Sequence, residues 1–159
     1  MAVDFYLKLD GIQGEATDDS FKDQVKLLTF SWGGTQRSSV AAGGAGSGAG
    51  KVDLADLSIT KYYDKSSPPL FKSLVLGSHV ASGVLSAVKA GAGGTPFLKL
   101  TLGELFITGI HVSATDEVPT ESISFSYRSV RVEYSTQDNT GNLTATGPVN
   151  YDLAANKVS

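Results

Sequence analysis

The residue types that carry catalysis are thinly spread through this sequence, and their spacing matches no established reaction centre. The glycine-rich stretch before Lys51 comes nearest. A phosphate loop of the G-x-x-x-x-G-K-[ST] kind cradles phosphate on backbone amides and holds magnesium on its hydroxyl. Here Gly50-Lys51 is followed by Val52, and Ala45 stands where the first glycine is needed. The stretch also leads into a strand pattern, not into a helix whose N-terminus would hold an anion. The dinucleotide pattern G-x-G-x-x-G fails as well, because Gly46 and Gly48 lead to Lys51. The composition points to no nucleotide and to no other cofactor.

The remaining chemistry is isolated. His79 and His111 are far apart and read as a loop imidazole and a strand-surface imidazole. No G-x-S-x-G elbow presents a serine nucleophile. Asp116 and Glu117, before Pro119, have the composition of a solvated turn more than of a glycosidase acid pair. Asp18-Asp19 lacks the spaced acids and terminal glutamate of a calcium loop. Asn142-Leu143-Thr144 matches a glycosylation acceptor, but three residues match often by chance. With no cysteine, thiolate metal sites, disulfides and thiol nucleophiles are all excluded. The expectation is a non-enzyme without a metal.

One pattern is less ordinary. Ser122, Ser124 and Ser126 alternate with Ile123, Phe125 and Tyr127. A solvent face usually carries lysine, glutamate and threonine, so a row of small hydroxyls suits close subunit packing or a wall that holds cargo weakly. Ser113 and Thr115 join these three as a candidate lumen or seam.

These residues sit in a chain of 159 amino acids with 41% hydrophobic and only 18% charged residues and a net charge of −3. Such a chain suffices for one domain, residues 1–159, with a real core. The low charge and the 18 glycines suggest an exterior partly covered by other chains. Basic residues form no run, so the electrostatic footprint of a nucleic-acid binder is missing. No apolar window nears the ~18 residues of a membrane helix, and the start carries Asp4 and alternates, unlike a leader.

Alternation dominates the chain. Val3, Phe5, Leu7 and Leu9 predict an inward strand face, with Asp4, Tyr6, Lys8 and Asp10 outward. Residues 25–38 start a strand with Val25 and Leu27 inward, then slip to Leu28, Phe30 and Trp32, as a bulge produces. Further strands are read in Lys51–Tyr63, through Val52, Leu54, Leu57 and Ile59 with a slip in its middle, and in Val84–Ala90, Phe97–Val112, Glu121–Thr136 and Val149–Leu153, with turns at Gly91–Gly94 and Asp138–Gly147. In the long strand Glu121–Thr136 the inward set passes from Ile123, Phe125 and Tyr127 to Val130, Val132 and Tyr134. A helix over about residues 67–76 has Ser67 as cap, Pro68 in its first turn, Gly77 at its end and Leu70, Phe71, Leu74 and Val75 on one stripe. The sum is a mainly β, antiparallel β-barrel or two-sheet sandwich with one short flanking α-helix.

Several blocks resemble the haemolysin co-regulated protein (Hcp) family of bacterial type VI secretion systems. They are Ala2-Val3-Asp4-Phe5-Tyr6-Leu7-Lys8-Leu9-Asp10-Gly11-Ile12-Gln13-Gly14-Glu15, Phe30-Ser31-Trp32-Gly33 and the Gly/Ala-rich loop ending in Gly50-Lys51-Val52. The most specific is Asp56-Leu57-Ser58-Ile59-Thr60-Lys61-Tyr62-Tyr63-Asp64-Lys65-Ser66-Ser67-Pro68. Lys89-Ala90-Gly91 and Tyr151-Asp152-Leu153-Ala154-Ala155-Asn156-Lys157 complete the set, in order and across nearly the whole chain. The resemblance implies a small barrel that forms homohexameric rings. These stack into a tube that is made in the cytoplasm and exported without a leader, with a VgrG spike, a sheath and small effectors in the lumen as partners. Where relatives often carry basic residues, this chain has Ser78 and Val88, which leaves partner and cargo preference open.

The loop at 38–50, with Ser39, Val40, Ala41, Ala42, Gly43, Gly44, Ala45, Gly46, Ser47, Gly48, Ala49 and Gly50, has little side chain to bind by. Its expected role is contact between subunits or rings through backbone pairing or close packing. The alternative is a monomeric β-sandwich binding module, for example for carbohydrate. That reading lacks a planar aromatic row, since Trp32 is the only tryptophan and reads as inward.

Overall fold

The structure is a computed structural model that describes residues 2–37, 51–90 and 93–159. The loop 38–50 and the first half of the Gly91–Gly94 turn lie outside the described residues. In chain order the elements are β1 (Val3–Leu9), β2 (Val25–Leu27), β3 (Thr29–Ser31), β4 (Gly34–Thr35), β5 (Asp53–Leu54), β6 (Leu57–Tyr62), α1 (Ser67–Leu76), β7 (His79–Lys89), β8 (Leu98–Ser113), β9 (Thr120–Gln137), β10 (Leu143–Ala145), β11 (Val149–Asp152) and β12 (Lys157–Val158).

Every named pairing is antiparallel, and the pairings close on themselves. β1 pairs β7, β7 pairs β8, β8 pairs β9, and β9 pairs β6. β2 and β3 complete the circuit by serving two partners: β2 pairs β1, and one residue later β3 pairs β6. The slip read in residues 25–38 is this corner. Val25 and Leu27 are buried and Phe30 and Trp32 half-buried, but Leu28 stands exposed at the turn between partners. A residue that opens the strand from one neighbour to the next cannot keep its side chain inside. Beyond the barrel the second half of β9 carries β10, β11 and β12.

The interior is apolar: Leu7, Leu9, Val25, Leu57, Ile59, Leu85, Leu100, Leu102, Leu105, Ile107, Ile123 and Phe125 form one buried cluster. The three longest strands change their inward face at one level. Val80, Leu105 and Tyr127 pair across β7, β8 and β9 and face inward, and so do Gly83, Leu102 and Val130, three positions away on each strand. Glu104, in the intervening level, has a φ of 49°, in the left-handed region. Pairing is kept on both sides of the switch, so β9 passes from Ile123, Phe125 and Tyr127 to Val130 and Val132, as its sequence predicts. Tyr134 ends the series at the surface.

Two expectations need correction. Tyr6 is buried, not exposed: residues 12–24 fold back over β1 and β7, where Tyr6 stacks on Phe21 with Ala16 and Val88 beside them. The helix has its expected span, and Gly77 closes it at φ 63°, but its stripe is narrower. Leu70 is buried and Leu74 half-buried, whereas Phe71 is 58% and Val75 66% exposed. The helix touches the barrel along β8 and leaves these two facing solvent. Ser66, not Ser67, occupies the cap position.

Candidate functional site

Two arrangements stand out, one inside and one outside the same strand pair. Across β6 and β9, Lys61 pairs with Glu121 in the ladder, and both side chains turn inward. Lys61 Nζ lies 2.5 Å from Glu121 Oε1 and 2.9 Å from Asp64 Oδ1, and it donates to Ser67 Oγ at 2.9 Å. The Ser67 hydroxyl donates to Glu121 Oε1 at 2.5 Å and accepts from the Asp64 amide at 3.0 Å. That engagement is why Ser67 does not cap α1. Asp64 also accepts from the Ser66 amide and hydroxyl. Glu15 Oε2 accepts from the Lys65 amide at 3.0 Å, so the first and the most specific sequence blocks meet here. Lys61, Ser67 and Glu121 are all buried, and Asp64 is nearly so. The work of the set is to hold the turn 62–67 and the start of α1 on the barrel, since a buried pair must be fully satisfied to be tolerated.

The outward face of the same strands is a field of hydroxyls. Ladder neighbours Thr29, Thr60, Ser122 and His111 form one row across β3, β6, β9 and β8, and Ser31, Ser58, Ser124 and Gly109 form the next. Thr29 Oγ1 and Thr60 Oγ1 lie 2.6 Å apart. Thr108 Oγ1 donates to Asp56 Oδ2 at 2.7 Å and lies 2.8 Å from Ser124 Oγ. Tyr62, Thr120 and Ser113 make a further row at the end of the face, and Thr115 lies in the turn beyond. The structure therefore brings Ser113, Ser122, Ser124 and Ser126 to one side of the barrel and leaves Thr115 in the turn at its end. Thr29, Ser31, Ser58, Thr60 and Thr108 escaped the sequence reading. Their signal was present in Thr29-Phe30-Ser31 and Leu57-Ser58-Ile59-Thr60, where hydroxyls alternate with apolar residues as in Ser122–Ser126.

At the far end of this face a relay fixes the root of the long loop. Trp32 Nε1 donates to the Tyr127 hydroxyl at 2.6 Å, and that hydroxyl donates to the Ala55 carbonyl at 2.8 Å. Burial holds the Tyr127 phenol above its ordinary pKa, the bond from Trp32 opposing and the Asp56 charge adding to it. β4 and β5 pair just beyond, at Gly34–Leu54 and Thr35–Asp53, and lead into 38–50. The twelve loop residues expected to make ring contacts lie outside the described residues.

The other candidates stay scattered. His111 is exposed on β8, while His79 starts β7 and tilts against Phe106 instead of lying in a loop. Asp116 and Glu117 are exposed in the β8–β9 turn. Leu143 and Thr144 belong to β10, within the stretch expected to be a loop. Among the described residues no three histidine, aspartate or glutamate side chains converge as a metal site.

The fold recurs in known proteins. Residues 6–134 match the family model described as type VI secretion system effector, Hcp. The chain belongs to the Hcp family. Protein hcp1 of Pseudomonas aeruginosa PAO1 is 36% identical over 154 residues, covering 95% of this chain and 94% of that one. The crystal structure of Hcp1 from Salmonella typhimurium covers the whole of both chains at 31% identity with a TM-score of 0.80. A structure described as a type six secretion system protein covers 99% of this chain and 100% of its own, at 28% identity and a TM-score of 0.93. As an Hcp-family chain, this protein is a type VI secretion component with a β-barrel fold. Among its described residues no helix is long and apolar enough to cross a membrane.

Proposed function

We propose that this Hcp-family protein acts as a tube subunit. It forms homohexameric rings that stack, carry small effectors in the lumen, and are propelled with a VgrG-type spike by a sheath. The observation that carries this reading is the hydroxyl face. Four adjacent strands present two full rows of serine, threonine and glycine with one histidine, while Lys61 of β6 and Glu121 of β9 turn into the core. A wall of this kind offers short hydrogen-bonding groups without large apolar area or strong charge, which suits passage more than capture. We assign this face to the lumen, and residues Ser39–Gly50 to contact between rings. Export in this role uses the secretion apparatus itself.

Size-exclusion chromatography with light scattering tests the ring. A mass of about 100 kDa, six times the 16.6 kDa chain, supports it, and a monomer at high concentration overturns it in favour of a binding module. Ser124→Trp tests the lumen. Rings of unchanged mass should lose co-purifying effectors, and unchanged cargo would place the face elsewhere. Deleting Ser39–Gly50 should leave the monomer folded and shorten the tubes seen by electron microscopy.

A further inference from the structure

A cavity of about 780 Å³ opens on the surface where the end of β1, the segment 11–24 and the start of α1 meet. None of these elements carries a row of the hydroxyl face. The volume falls in the range of about 300–1,000 Å³ that small-ligand sites occupy. The walls are tied to one another. The Gly14 amide donates to the Asp23 carbonyl at 2.8 Å, and the Ala16 amide to the Gln24 carbonyl at 3.1 Å. The Lys65 amide donates to Glu15 Oε2 at 3.0 Å, which joins the helix side to the loop side. The buried Lys61 network holds the turn that carries Lys65 from within. A site whose walls are fixed beforehand loses little freedom when it is filled.

The lining is charged but balanced. Lys8, Lys22 and Lys65 stand with Asp10, Asp19 and Asp23, and all six are exposed. Lys65 and Asp23 contact each other at 4.0 Å. Among the described residues the other four have no ion-pair partner. A simple anion or cation placed here would meet like charges, whereas a ligand with one charge at each end meets an opposite charge at both. Gln24 lines the same cavity, and its Oε1 is buried without a donor among the described residues. An acceptor left in that state is costly, so the amide gains by swinging its oxygen toward an N–H that arrives in the cavity.

We infer that this cavity binds a short peptide whose two ends are free. The unpaired Lys8 and Lys22 hold its carboxylate, and Asp10, Asp19 and Gln24 Oε1 hold its ammonium. This site is separate from the lumen and does not depend on the tube reading.

Glycylglycine is the probe, with N-acetylglycylglycine and glycylglycinamide as controls that each lack one charge. Saturation-transfer difference NMR on the intact protein, at millimolar peptide, should show binding of glycylglycine and at least tenfold weaker binding of either control. K8M/K22M, changed only at exposed positions, should reverse the order and prefer glycylglycinamide. Gln24→Met, its fold checked by circular dichroism, should weaken glycylglycine at least tenfold. No transfer to glycylglycine overturns the inference. Equal transfer to a control overturns the two-charge assignment, and unchanged binding in K8M/K22M overturns the placement of the site. Each of these outcomes leaves the mass of the assembly unaltered, so failure here is distinct from failure of the ring.

Discussion

Lys61 Nζ and Glu121 Oε1 lie 2.5 Å apart in the core, on adjacent strands whose paired stretch carries Ser58, Thr60, Ser122 and Ser124 on its other face. The ordinary sorting of polar and apolar side chains is thus reversed in part of this barrel. The pair spends its strength on orientation: it ties β6, β9, the turn 62–67 and the start of α1 to one point.

Lys61→Met should therefore destabilise the monomer by about 3–5 kcal/mol, because Glu121 is left charged and unpaired in a dry site. The combination Lys61→Met with Glu121→Leu should recover most of that loss while the turn loses its anchor. Urea unfolding of the three variants measures the coupling, and equal losses for single and double changes would contradict it.

Gly14 is fixed by contact, not by its φ angle. A Cβ there would stand 2.4 Å from the Gln24 carbonyl oxygen and 2.5 Å from the Val25 Cα, both backbone atoms. The Gly14 amide donates to Asp23 at 2.8 Å, so the two segments cannot separate without losing that bond. Gly14→Ala should lower stability by roughly 1–3 kcal/mol, as overpacking does. The loss should show as a lower thermal midpoint.

Trp32 is the only tryptophan, so its emission reports on the relay directly. Tyr127→Phe leaves the indole N–H without its acceptor and should cost about 1–3 kcal/mol with a shift in emission. The native protein carries a pH signature as well. Burial raises the Tyr127 pKa above its unfolded value near 10, so its stabilising contribution is whole below that pH and falls as pH climbs through the higher folded value. Tyr6, raised first by burial and then by Asp4 and Asp18, acts in the same direction. Melts from pH 9 to 11.5 should show a decline that flattens in the Tyr127→Phe variant.

The helix offers a paired test of its corrected orientation. Leu70→Ala should cost about 2–5 kcal/mol, since the side chain is wholly enclosed. Phe71→Ser should stay within about 0.5 kcal/mol in the monomer.

The barrel strands could be read from alternation because one face of each packs inward and the other meets solvent. The errors have a common cause: the pattern tells that a residue is apolar, not which layer covers it. Tyr6 is covered by a loop from outside the barrel, and Phe71 sits on a helix that packs mainly along β8 and leaves it facing solvent. Ser67 looked like a cap by type and place, yet a buried ion pair drew its hydroxyl away. The serines of β9 were legible one strand at a time. Their neighbours on β3 and β6 were not, because a shared face depends on a ladder that joins residues up to about a hundred positions apart in sequence.

The common level at which β7, β8 and β9 trade inside for outside also constrains how this molecule can change. Losing one residue from a single strand near Glu104 would turn half of that strand inside out against two unchanged neighbours. Lengthening or shortening the barrel here thus requires concerted edits on three separate stretches, so drift in this part of the chain must run through substitution and leave strand length alone.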